Sequence, residues 1–326
     1  MSRATAGPDV ASRVLPVMWA GLAVVVAVIA AVLADSLSSS TFPLRVASVV
    51  TRSGMDVAAV VCVGLGLLAA LLRATGAPLR EVTVVDRRMD RALAVTSGVW
   101  LVVIGCDMVF RAADAFGRPV GGLSAADLGR WATQLGAGRG LVLTAICALV
   151  VLGCATARLV RTDSVPVRAA LVAALLGLLL PAITGHAGTA SDHELAVIMS
   201  ALHAAAAAAW VGGLGAILVF VARQRRLLDP VLPRFSTLAT FCIAGVAVTG
   251  VLNAVLRLPS LPALWTTGYG WLIITKIVLL AGIAVLGNAA RRRLATNRWP
   301  VLRWAALEVT LMAVAIGVAA ALTQTA

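Results

Sequence analysis

Long, unbroken apolar runs dominate this chain, with neither the alternation of half-buried strands nor a heptad rhythm. Nine of them approach the ~20 residues that a helix needs to cross a hydrocarbon core: 14–34, 54–73, 91–112, 138–157, 166–184, 195–222, 234–256, 268–290 and 302–323. Asp107 interrupts the third and Pro181 the fifth. Lipid offers backbone groups no hydrogen bonds, so such runs are expected to be helical. The pattern predicts an all-α, polytopic transmembrane helical bundle of about nine spans. The longest segment between runs, 113–137, contains Ser124-Ala-Ala-Asp127, the spacing of a capping box with Asp in place of Glu. A short surface helix is expected there.

Composition agrees. Hydrophobic residues make up 61% of the chain and charged ones 13%, with mean hydropathy +0.99, too little polar surface for a water-soluble domain of this size. The net charge of +13 would suit nucleic acid in a soluble protein. Here the arginines sit in short segments between apolar runs, so the expected partner is the lipid bilayer and no nucleic acid. Placing the N-terminus in the cytoplasm puts nineteen arginines in inner segments and seven in outer ones. By the positive-inside rule the N-terminus is cytoplasmic and the C-terminus outside. The first run exceeds the roughly 7–15-residue core of a signal peptide; cleaved or not, residue 35 emerges outside. The expected location is the cell (inner) membrane.

Five cysteines lie inside apolar runs, at Cys62, Cys106, Cys147, Cys154 and Cys242, with no CxxC, so no disulfide framework is expected. The chain holds no GxxxxGK[ST], Cys-Pro-Cys or Asp-Lys-Thr-Gly, no Gly-rich dinucleotide turn and no hydrolase nucleophile elbow. An ATP-driven pump is excluded and no enzyme is expected.

Candidate chemistry gathers at the sixth run, SDHELAVIMSALHAAAAAAWVGGL. His193 stands at its outer end; Met199 and His203, four residues apart, share a helix face, and Trp210 at i+7 from His203 joins them. His186 sits in ITGHAG, at the outer end of the fifth run. All three histidines are thus expected at one outer corner. Imidazole with thioether suits copper, the thioether favouring Cu(I), and an intramembrane histidine needs something to offset its cost. The alternatives are that His203 hydrogen-bonds a neighbouring helix, or that paired histidines ligate haem in a b-type cytochrome. Ala205, Ala209 and Gly213 form a small-residue stripe expected to admit another helix closely.

Other polar positions carry narrower expectations. Asp107 and Arg111 are spaced for a local ion pair, with Cys106 and Met108 as soft donors at the same level. Lys276 and Glu308 could pair or relay protons if they bridge about 10 Å along the membrane normal. Asn253 and Asn288 are expected to hydrogen-bond between helices. Tyr269, Trp19, Trp131, Trp265, Trp299 and Trp304 fall near predicted ends, as interfacial anchors do.

The second half carries LHAAAAAAWVGGL at 202–214, RFSTLA at 234–239, TGVLNA at 249–254, YGWLIITK at 269–276 and GNAARRR at 287–293, followed by the segment from Arg303 to Glu308. In that order they resemble the bacterial copper resistance protein D (CopD) family over roughly residues 195–323. The resemblance divides the chain into an N-terminal five-span region, 1–190, and a CopD-like four-span region, 191–326. It implies an inner-membrane protein that moves copper from the outer side toward the cytoplasm, often with a small periplasmic copper carrier. His203, Trp210, Gly212, Gly213, Lys276, Asn288 and Glu308 occupy positions of the family's motifs. Asn288 is followed by two alanines where the usual motif has an arginine, and neither a fused carrier domain nor a Met-rich tail is present. The function this implies is copper transport; the rivals are the haem-bearing electron carrier and a non-transporting assembly factor.

Overall fold

The computed structural model describes residues 10–33, 42–76, 79–161, 164–184, 193–257, 262–295 and 301–325. Among them every regular element is helical: α1 (Val10–Leu33), α2 (Phe42–Ala74), α3 (Leu79–Ala115), α4 (Ala125–Gln134), α5 (Gly136–Val160), α6 (Val167–Thr184), α7 (His193–Phe220), α8 (Arg225–Arg257), α9 (Ala263–Thr266), α10 (Gly268–Ala295) and α11 (Val301–Thr325), with one turn of 3-10 helix at Val120–Gly122. Seven helices are long and apolar enough to cross a membrane, and the described apolar stretches of α6 and α11 are shorter. These nine helices coincide with the nine apolar runs. The protein is an all-α, polytopic membrane bundle.

Several helices outrun the apolar run that announced them. The second run begins at residue 54 but α2 begins at Phe42; the third begins at 91 but α3 begins at Leu79. At 37 residues, α3 is about 55 Å long, well beyond a ~30 Å hydrocarbon core. In α3 helicity continues past the apolar run through LREVTVVDRRMD, whose Leu, Arg, Glu and Met are good helix formers.

The most buried of the long helices is α2. It packs against α3, α6 and α7, and also meets α1 and α11. Lipid tails are as apolar as leucine, so burying aliphatic surface gives little drive here, and close packing of small residues does more. At the α2–α7 crossing Gly212 lies against the backbone of Val60 and Gly64. Ala208, one turn earlier, is fully buried. The close approach therefore runs along Ala208 and Gly212, one residue away from the expected Ala205–Ala209–Gly213 stripe. Gly213 faces side chains instead of backbone: an added Cβ would stand 2.6 Å from the Phe235 ring of α8 and 3.1 Å from Leu67 of α2.

Buried ions supply the polar half of the packing. Arg158 of α5, counted above among the inner-loop arginines, is 2% exposed. Its Nε donates to Asp90 Oδ1 of α3 at 2.9 Å, and its guanidinium lies 3.8 Å from Asp86. Arg73 of α2 approaches Asp86 at 3.3 Å from the other side. Toward the arginine-poor face, Asp107 is fully buried; it pairs with Arg111 at 2.8 Å, as expected, and accepts a hydrogen bond from Thr51 Oγ1 of α2 at 2.7 Å. Each of these clusters fastens α3 to a neighbour.

The surface helix is also present. Ser124 caps α4: its Oγ accepts from the Asp127 amide at 3.1 Å, and Asp127 Oδ2 accepts from the Ser124 amide at 3.1 Å. Trp131, expected as an interfacial anchor, is instead 2% exposed within the core. Trp19 donates from Nε1 to Thr310 Oγ1 at 3.1 Å and ties α1 to α11. All five cysteines are free.

Candidate metal centre

Helices α7 and α8 are sequence neighbours and pack along much of their length. Each presents two polar side chains to the other, at helical spacing. On α7 these are Ser200 and His203, three residues apart; on α8 they are Thr249 and Asn253, four apart. Ser200 Oγ donates to Asn253 Oδ1 at 3.3 Å. His203 Nδ1 lies 3.0 Å from Thr249 Oγ1. Thr249 in turn bonds back to the Gly245 carbonyl at 2.6 Å. The seam is a polar ladder inside apolar helices.

The ring lies beside Gly250, where a Cβ would stand in ordinary contact with it, 3.5 Å from Cε1 and 3.8 Å from Nδ1. His203 is half-buried, about 15 Å along α7 from its first residue. The ring is thus held on one side by α8.

Four further candidates are placed by the same helices. Met199 is half-buried one turn above His203 on α7, and Trp210 is buried in the core below it. Asn253 makes the interhelical hydrogen bond expected of it. Glu308 of α11 is 7% exposed, its Oε1 3.1 Å from where a Cβ of Gly287 would stand. Gly287 lies eleven residues beyond Lys276 on α10, about 16 Å along the helix. That is further than a lysine side chain reaches, so Lys276 and Glu308 sit at separate levels and do not form the direct pair considered above.

His186 lies outside the described residues. His193 opens α7, but its side chain is outside them too, as is that of Asn288. Among the described residues no three His, Cys, Asp or Glu side chains come together to hold a metal ion.

The comparisons with known proteins point one way. Residues 229–322 match the family described as copper resistance protein D. Residues 43–195 match the copper resistance protein D-like N-terminal domain. Both matches point to the copper resistance protein D family, one through its C-terminal segment and one through its N-terminal domain. Over 139 residues it is 30% identical to the Copper transport protein CutJ of Bacillus subtilis, covering 39% of this chain and 26% of that protein. Over 95 residues it is 37% identical to the Inner membrane protein YebZ of Escherichia coli, covering 28% of this chain and 32% of that one. The matched segments thus span about a quarter to a third of those relatives' lengths. No solved structure matches. The long apolar helices and a relative named as an inner membrane protein agree on a multi-pass inner-membrane location.

The seam between α7 and α8 joins two of the motifs noted above. His203 belongs to LHAAAAAAWVGGL; Thr249, Gly250 and Asn253 all belong to TGVLNA. Reading the residues one by one passed over Ser200, Thr249 and Gly250. A signal for them was present: Thr249 and Asn253 share one face of α8, as Ser200 and His203 share one face of α7.

Proposed function

We propose that this protein transports copper across the inner membrane, taking it up from the arginine-poor, outer side. Copper is captured by His193 and His186 at the outer corner, passed to Met199 and His203, and carried onward through the bundle of α7, α8, α10 and α11. Lys276 and Glu308 line that route at two depths, with Trp210 and Asn253 beside it. The metal is delivered by an extracytoplasmic copper carrier.

One observation carries this reading: the imidazole of His203 stands inside an otherwise apolar helix of a chain that resembles the CopD family, anchored through a single ring nitrogen. An ionisable residue at that depth is costly and marks a substrate path more often than a structural contact. Nitrogen and thioether donors on one helix face suit Cu(I). The relative named as a copper transport protein agrees with it. Haem has less support, because the matched family and the relative named for transport both point to copper. Copper accumulation in cells expressing His203→Ala, compared with the parent chain at equal membrane abundance, tests the proposal. A sharp fall is expected, and unchanged accumulation would remove His203 from the route.

A further inference from the structure

We propose that Thr249 is a positioning residue that fixes the tautomer of His203, placing the proton on Nδ1 and leaving the Nε2 lone pair free for a soft metal cation. The choice of ligand rests on the copper reading above; the tautomer does not.

The protons available at this contact decide the tautomer. A threonine hydroxyl has a single hydrogen to give. Thr249 Oγ1 stands 2.6 Å from the carbonyl oxygen of Gly245 and 3.4 Å from that of Val246, and a carbonyl can only accept. The hydroxyl proton is therefore committed to its own helix. Toward His203 the oxygen has only lone pairs to offer, so Nδ1, 3.0 Å away, is the donor. A neutral imidazole bears one N–H, and the other nitrogen is then unprotonated. The hydrogen bond that the structure gives the ring is made at Nδ1. Thr249 is 6% exposed, so bulk water does not compete for the arrangement.

This is the arrangement that histidine ligands of metals favour: the second ring nitrogen donates to a nearby acceptor, which sets both tautomer and orientation. A hydroxyl that accepts does this without bringing a carboxylate's charge into the bundle. Nε2 is the ring nitrogen farther from α8.

The test uses the full chain in detergent, with His186 and His193 replaced by asparagine so that His203 is the one imidazole. Nitrogen-15 spectra of labelled histidine distinguish the two ring nitrogens without any metal. Cu(I) affinity is measured on the same preparations by competition with a chromophoric chelator. The parent spectrum is expected to show Nδ1–H alone. Thr249→Val, which keeps the shape and loses the acceptor, is expected to mix the tautomers and weaken Cu(I) binding about 10–100-fold, the usual range for such outer partners. Thr249→Ser is expected to retain both properties. A parent ring protonated at Nε2, or Thr249→Val with an unmixed Nδ1–H spectrum, overturns the assignment. If the tautomers shift as described while Thr249→Val and His203→Ala bind Cu(I) like the parent, the positioning role stands and the copper reading falls. The parent spectrum decides the tautomer even if the valine variant fails to fold.

Discussion

Gly212 of α7 and Gly64 of α2 meet backbone to backbone, with no side chain between them. The contact fixes the level at which the histidine-bearing helix sits against the most buried helix of the bundle. A Cβ on Gly212 would collide with the Val60 carbonyl and come within 3.0 Å of the Gly64 amide nitrogen. Both obstacles are backbone, so neither can swing aside. Gly212→Val is expected to destabilise the bundle by about 1–3 kcal/mol, the usual cost of overpacking. The midpoint of thermal unfolding in detergent measures it, with Gly215→Ala as a control, since nothing lies within 4 Å of a Cβ there. Equal midpoints for both variants would show that the helices do not touch at this level.

Arg158 and Asp90 make a different kind of contact. Their ion pair lies in the core, with side-chain exposures of 2% and 6%. Breaking a buried pair by removing one partner costs roughly 3–5 kcal/mol, whereas replacing both with apolar groups of similar shape is often neutral. Here Asp86, 3.8 Å from Arg158 and 3.3 Å from Arg73, offsets part of the loss in the single variant and keeps Arg73 as its partner in the double one. Asp90→Leu alone is therefore expected to lower stability far more than Asp90→Leu combined with Arg158→Met. A double-mutant cycle on unfolding in detergent checks this. Additive losses would mean that the two side chains do not interact.

The α4 cap carries a pH dependence of defined sign. Hydrogen bonds from the Ser124 side chain and backbone, aided by the Arg118 and Arg130 guanidinium groups, hold the Asp127 carboxyl below its ordinary pKa. A carboxyl with a depressed folded-state pKa stabilises the fold above its unfolded value of about 3.9. That contribution is lost as pH falls through the lower, folded value. Amide exchange in α4 is thus expected to speed up in acid, beyond the intrinsic rate change, in the parent chain and not in Asp127→Asn. The same acid response in both would contradict the cap's role.

How much of this could be read from the residues alone depends on the range of the interactions. Spans follow from unbroken apolarity, so all nine runs became helices. The Ser124–Asp127 cap and the Asp107–Arg111 pair were legible because each is complete within one helical turn. Arg158 was not: its partner Asp90 is 68 residues away, and arginine near the end of an apolar run reads as a loop charge until another helix is seen beside it. Ser200, Thr249 and Gly250 were hidden for a related reason. Serine, threonine and glycine are common in membrane helices, and only the α7–α8 register makes these three meet the imidazole of His203. The family resemblance supplied the motifs without saying which residues in them touch.

Whether His203 binds copper is read most directly from the metal content of the purified chain. Parent protein and His203→Ala are loaded with Cu(I) under reducing conditions, freed of loose metal, and analysed by inductively coupled plasma mass spectrometry beside a visible spectrum. Retained copper is expected in the parent, with marked loss in His203→Ala and no Soret band in either. Equal copper in the two proteins, or a Soret band that vanishes with His203, would contradict copper binding at His203.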